Sequence, residues 1–338
     1  MISFAHRSAF LDAVTHLPGA SEHAIRAARA RQAELTKPAG SLGRLEEIAV
    51  FMAGWQDNPR PQLGCVRAAI FAGNHGVAAR GVSAFPAEVT AQMVANFETG
   101  GAAINVLAQC ASAELTVVPL DLDCPTGDIS RDPAMSEAEC LDALNAGAAV
   151  VAPDTQLLLV GEMGIGNTTP AAALCAAAFG GTGAQWCGTG TGVDGAGLVR
   201  KIDAVEQALA LHLPHCCDPF ETLRRLGGRE IAAMAGAMLA ARLQRVPVLL
   251  DGFIACAAIA PIAAQHPQFT RHCLAAHCSA EAAHQLLLDC LGLEPLLRLD
   301  MRLGEGSGAA LAVPLVRAAM ATHDRMATFA EAAVARAQ

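Results

Sequence analysis

Gln156-Leu157-Leu158-Leu159-Val160-Gly161-Glu162-Met163-Gly164-Ile165-Gly166-Asn167-Thr168-Thr169-Pro170 decides the fold class. A short apolar run gives way to a glycine-rich turn, and helical sequence begins at Asn167-Thr168-Thr169 with Pro170 early in its first turn. The same rhythm repeats on both sides. Strands are expected at 67–72, 115–120, 156–160, 246–250 and 273–276, and helices at 87–97, 102–111, 136–150, 169–179 and 231–243. Strands alternating with helices of this length imply an α/β, Rossmann-like fold: a parallel sheet with helices on both faces.

Helical periodicity also covers 21–35 and 42–52, ahead of the linker Asn58-Pro59-Arg60-Pro61, and it resumes after Gly304. The expected organisation has three parts. Residues 1–60 begin a small helical domain, 61–303 form the large α/β domain, and 304–338 return as helices to the small one.

Composition removes several function classes. With 53% hydrophobic and 16% charged residues, the 338-residue chain is too apolar to be disordered and long enough for a large core. The longest apolar stretch, 254–264, is too short for a membrane span, and no basic-then-apolar leader opens the sequence. A cytoplasmic protein without membrane attachment is expected. A net charge of −9, no basic run and 4% aromatics argue against a nucleic-acid partner. Of the twelve Cys, several sit in Ala/Leu/Val-rich segments, as small buried hydrophobes do, and there is no CxxC pair. His212-x-x-His215-Cys216-Cys217 is the nearest approach to a metal set, but half of the ligands are missing, so no metal is expected.

In an open parallel sheet, ligands bind beyond the carboxyl ends of the strands. The segments at those ends are Gly73-Asn74-His75-Gly76, Gly161 to Thr169, Asp251-Gly252-Phe253 and His277-Cys278-Ser279. Backbone N–H groups at Gly164, Asn167 and Thr168 suit a phosphate or carboxylate, although an ordinary capped turn has the same composition. Cys187-Gly188-Thr189-Gly190-Thr191-Gly192 is a second loop of this kind and matches neither a Walker loop nor a dinucleotide fingerprint. Lys201, one of two Lys in the chain with Lys37, suits phosphate neutralisation or a solvated helix position. In Leu303-Gly304-Glu305-Gly306-Ser307-Gly308, a carboxylate between two glycines opens an Ala/Leu helix. Glu305 could cap that helix through its charge, or be a partly buried proton acceptor. Val117 to Gly127 loosely suggests the acidic loop of common phosphoribosyltransferases, but its prolines and spacing are wrong, and no magnesium site is inferred from it.

Seven segments in order resemble the nicotinate-nucleotide–dimethylbenzimidazole phosphoribosyltransferase family: Lys37 to Glu46, Gly73 to Val77, Gly161 to Thr169, Gly188 to Gly192, Asp251 to Phe253, His277 to Glu281, and Leu303 to Gly308. The likeness spans about residues 35–320. It implies a Rossmann-like domain, a small helical domain from both chain ends, and a homodimer whose partner subunit helps to close the site. It implies Glu305 as general base and Glu162 as a second acidic residue near the reacting ring. Lys201 and Ser279 match positions that hold the ribose phosphate, beside Gly190, Gly164, Asn167 and Thr168. Phe85, Gln92, Met93 and Leu303 would contact the base.

The implied reaction moves ribose 5-phosphate from nicotinate mononucleotide to 5,6-dimethylbenzimidazole. It gives α-ribazole 5′-phosphate and nicotinate with inversion at C1′, and needs no cofactor. Two other classes make different demands on the sequence. A nucleotide-dependent oxidoreductase would need a G-x-G-x-x-G turn after the first strand, which Ala72-Gly73-Asn74-His75-Gly76 does not supply. A nucleotide- or benzimidazole-binding protein without catalysis would not need the Glu305 and Glu162 pair.

Overall fold

The computed structural model describes residues 2–190 and 192–335. Thr191, part of the second glycine loop, lies outside the described residues. In chain order, helices α1 (Arg7–Thr15), α2 (Glu22–Glu34) and α3 (Arg44–Trp55) precede strand β1 (Val66–Ala72). Then come α4 (Glu88–Glu98), α5 (Ala103–Ala111), β2 (Ala113–Pro119), α6 (Glu137–Ala149) and β3 (Leu157–Met163). Five helices follow: α7 (Thr168–Phe179), the short α8 (Gly183–Trp186), α9 (Gly195–His212), α10 (Pro219–Leu226) and α11 (Arg229–Leu243). The chain closes with β4 (Val248–Leu250), α12 (Phe253–Gln265), β5 (Cys273–Ala275), β6 (His277–Cys278), α13 (His284–Leu291), β7 (Leu297–Arg298) and α14 (Ser307–Arg325).

Five strands make one parallel sheet in the order β2-β1-β3-β4-β5. The order reverses between β1 and β3, which opens a crevice at their carboxyl ends. Side chains alternate across each strand, and two apolar layers follow from that. Ala69, Phe71, Leu158, Val160, Val248 and Leu250 join the layer of α6, α7, α10, α11 and α12. Ala68, Ile70, Leu157, Leu159 and Leu249 face α3, α5 and α14. Because the central strands are buried on both sides, their sequences read as continuous apolar runs. Edge strand β2 alternates between partly buried and exposed residues.

Two boundaries differ from expectation in ways that matter for the site. The third strand was expected to end at Val160, but it continues to Met163 because Gly161, Glu162 and Met163 keep register with Ile70, Phe71 and Ala72 of β1. Glu162 is therefore a strand residue held by the sheet. The fourth strand starts at Val248, after Pro247, which has no N–H to give a ladder. Strands β6 and β7, two residues each, were not expected, being too short to leave a pattern.

Helices α6 and α11 pack backbone to backbone. A Cβ at Gly147 would collide with the carbonyl of Ala233, and one at Gly236 with that of Leu144. Gly147→Ala is expected to lower stability by about 1–3 kcal/mol, since rigid backbone must move to admit the methyl group. A denaturant midpoint unchanged from the parent would show that the helices can part without cost.

Candidate active site

Glu305 stands where β3, β4 and α14 meet. Gly304, Glu305 and Gly306 have φ of 80°, 61° and 72°, three left-handed residues in succession. Glycine tolerates this, whereas a glutamate there costs about 1–3 kcal/mol and persists only if its surroundings enforce it. Asp251, immediately after β4, supplies the enforcement. Its carboxylate accepts from the N–H of Gly306 at 3.1 Å and of Ala309 at 2.9 Å, so it caps α14 from outside the helix. Gly161 adds the other half. A side chain there would meet Ile70 at 2.6 Å and the Glu305 backbone at 2.7 Å, so only glycine lets β3 lie against the turn.

The carboxyl groups gathered at this point are shifted together. Glu305 is 5% exposed, and burial, then the charge of Asp251, pushes its carboxyl up to about 7. Burial raises Glu162 further, to about 8. The hydrogen bond from Asn167 opposes the rise, and the charges of Glu230, Asp251 and Glu305 add to it. Gly304 leaves the space that the Glu162 carboxyl occupies. Burial likewise raises Asp251, against the pull of His277, whose Nε2 is 3.6 Å from it. Beneath them, His75 and Glu230 form a buried pair at 2.7 Å. Glu230 lies under Gly73 and Gly164: a Cβ at Gly73 would strike its carboxylate at 2.6 Å, and one at Gly164 would strike the Gly73 carbonyl at 2.8 Å.

These raised values carry a consequence for stability. A carboxyl that binds its proton more tightly when folded stabilises the fold below the unfolded value near 4.5, and loses that contribution as pH rises through 7 to 8. Glu162→Gln cannot lose a proton and still offers Asn167 an acceptor. It is expected to unfold at a higher temperature than the parent at about pH 9, the gap closing towards about pH 5. Equal melting temperatures across that range would mean that Glu162 titrates normally.

The side expected to receive an anion is built from α7, α9 and residues 187–190. Lys201 is 1% exposed, and its Nζ donates to Thr168 Oγ1 and to the Gly188 carbonyl, both at 3.0 Å. Two of its three protons are thus fixed, and burial lowers its pKa while nearby Glu281 opposes that fall. Gly190 at φ 54° brings backbone close to Lys201 Nζ, 3.3 Å from where a Cβ would stand. Thr168 opens α7; the N–H groups of Asn167 and Thr169 are taken by the carbonyls of Gly164 and Gly166 and Pro170 has none, which leaves the N–H of Thr168 for an anion in the same space. Ser279 also lines it, but both its N–H and its hydroxyl bond to Nδ1 of His284, at 2.8 and 2.9 Å. Since the backbone N–H must donate, that ring nitrogen is an acceptor, in line with burial holding His284 down at about 3.

One cavity of about 360 Å³ collects these groups. Glu305, Glu162, Lys201, Ser279, Gly190, Gly164, Asn167, Thr168, Phe85, Met93 and Leu303 all line it. Gln92 does not. It is exposed on α4, while Val89 and Met93, one helical turn apart, face the cavity. Phe85 and Leu303 stand at the mouth, each 49% exposed. The wall also contains Asp251, His277, Glu281 and Arg302, to which the sequence reading gave no role. For Asp251 a signal existed, a carboxylate directly after a strand. Elsewhere, His212 is buried and spends Nε2 on the Ile129 carbonyl at 2.9 Å.

A doubly wound sheet with a buried cation at a helix amino end and shifted carboxyls lining one cavity is the setting of an enzyme acting on an anionic substrate. The chain matches the phosphoribosyltransferase family model over residues 17–334 and belongs to that family. Its relatives narrow the class. A nicotinate-nucleotide–dimethylbenzimidazole phosphoribosyltransferase of Novosphingobium aromaticivorans is 64% identical over 335 residues, 99% of both chains. One of Mesorhizobium japonicum is 58% identical, covering 97% of this chain and 96% of its own. A crystal structure of the enzyme of that name from Thermus thermophilus superposes with a TM-score of 0.87 at 40% identity, covering 94% of this chain and all of its own.

Proposed function

We propose that this chain transfers ribose 5-phosphate from nicotinate mononucleotide to 5,6-dimethylbenzimidazole, releasing nicotinate and α-ribazole 5′-phosphate. The observation that carries it is the strained Glu305 facing the Lys201–Thr168 anion site across one cavity. The benzimidazole nitrogen attacks C1′ from the face opposite the pyridinium, inverting that carbon. The C1′–N bond to the pyridinium breaks, and its electron pair returns to the ring nitrogen of nicotinate. The acceptor's N–H proton passes to Glu305. A carboxyl near 7 is half ionised at neutral pH and basic enough for this transfer, worth about 10²–10⁴-fold.

Glu162 plays a different part. It is protonated at neutral pH before substrate binds, and an arriving pyridinium cation would favour its ionised form. Its charge then offsets the positive charge that develops on the ribose. The third proton of Lys201, the amino end of α7 and the backbone at Gly190 hold the phosphate, and the Ser279 hydroxyl turns from His284 to join them. Phe85, Met93 and Leu303 supply the apolar wall for the flat acceptor.

The homodimer belongs to the same proposal, supported by Phe85 and Leu303, large apolar residues half exposed at the cavity mouth. So does a small domain made from both chain ends. Leu35 bridges Thr328, and Arg31 donates to the carbonyls of His323, Asp324 and Met326. A cytoplasmic setting accords with twelve cysteines that are all free thiols. The test is to mix the protein with both substrates and detect nicotinate and α-ribazole phosphate by mass. Binding of nicotinate mononucleotide without release of nicotinate would favour a non-catalytic binding protein instead.

A further inference from the structure

A second, larger cavity of about 670 Å³ lies between α2, α3, the Lys37-Pro38-Ala39-Gly40 loop, Arg242 and Arg271. It shares no wall residue with the catalytic cavity. Arg242 is the notable group. It is 2% exposed, and its guanidinium lies 4.4 Å over the ring of Trp55. Its Nε and Nη1 have no hydrogen-bond acceptor, and no carboxylate pairs with it among the described residues. A buried cation stacked on an aromatic face recovers part of its lost hydration, but its N–H donors still want an acceptor.

The rest of the wall sharpens this. Lys37 is bound to Glu46 at 2.8 Å, and Glu47 to Arg44 at 3.1 Å. Over the whole wall, four cations, Arg29, Lys37, Arg242 and Arg271, stand against three carboxylates, Glu22, Glu46 and Glu47. The cavity is thus locally positive in a chain whose net charge is −9. Besides Gln32, its remaining side chains are apolar, among them Ile25, Val50 and Phe51. The proposed reaction uses none of these residues.

We propose that this cavity binds a small organic anion, with its carboxylate or phosphate head between Arg242 and Arg271 and its apolar body against Ile25, Val50 and Phe51. The site is separate from catalysis and would bind whether or not the reaction proposed above is correct.

Trp55 reports on it directly, because the chain has two Trp and Trp186→Phe leaves Trp55 alone. The full-length Trp186→Phe protein is titrated with benzoate, phenyl phosphate and inorganic phosphate while Trp55 fluorescence is followed. Benzoate or phenyl phosphate is expected to give a saturable change with Kd of about 1 mM or tighter, and inorganic phosphate to bind at least about tenfold more weakly. If benzoate alone saturates, the head is a carboxylate; if phenyl phosphate alone does, it is a phosphate. Arg242→Met is expected to abolish the change. Because that substitution also removes the stack on Trp55, exposed Arg271→Ala is tested in parallel and is expected to weaken binding about tenfold with the fluorescence of the free protein unchanged. No saturable change with either organic probe overturns the proposal. So does equal affinity for inorganic phosphate, or binding that survives both substitutions.

Discussion

Glu305→Gln is expected to lower kcat by about 10²–10⁴-fold while leaving KM for nicotinate mononucleotide within a few-fold. The substitution keeps the size and the left-handed backbone of the residue and removes only its capacity to take a proton. Loss confined to kcat therefore separates a base from a binding group. The parent should show a rising limb of kcat/KM against pH near 7, where burial and Asp251 have moved the Glu305 carboxyl, and the variant should lack it. A folded Glu305→Gln protein with near-normal turnover would assign the proton to another group. Glu162, at about 8, would be the next to test.

Asp251→Ala should produce the second large effect, although Asp251 does not receive the proton in this mechanism. Its two oxygens hold the N–H groups of Gly306 and Ala309, and through them the left-handed Glu305. Without it, those buried donors lose their acceptor, a cost of about 1–3 kcal/mol in stability. Relaxation of the strained turn should withdraw Glu305 from the acceptor nitrogen, where a displacement of about 1 Å can cost 10²-fold in rate. Asp251→Asn distinguishes positioning from mere support of the fold. It keeps one oxygen acceptor and removes the charge that helps to raise Glu305, so the rising limb of kcat/KM should move to lower pH. Lower melting temperature with an unmoved limb and full kcat would reduce Asp251 to a structural cap.

The two carboxylates differed in how visible they were along the chain. Glu305 stood out because packing gives no reason to place a carboxylate between glycines at a helix start. Asp251 sits at a strand end, but nothing near it in the sequence points to its role, because its partners are backbone groups 55 and 58 residues away. Gln92 failed for a tertiary reason: it lies on the face of α4 turned from the cavity, and which face of that helix looks inward is set by β2 and β3, against which it packs.

The sequence by itself determined the parallel α/β architecture, since strands buried on both faces must be continuous apolar runs, and helices of that length between them fix the layering. It also determined that glycine-rich polar segments gather at one edge of the sheet. Tertiary structure alone decided the strand order, with its reversal between β1 and β3, and the extension of β3 that makes Glu162 a sheet residue. It alone decided the shifted carboxyls, because desolvation and neighbouring charge arise from groups brought together from β3, β4 and the turn before α14. Local pattern records the backbone preferences of adjacent residues; a pKa or an unpaired guanidinium such as Arg242 exists only once distant segments have excluded water from it.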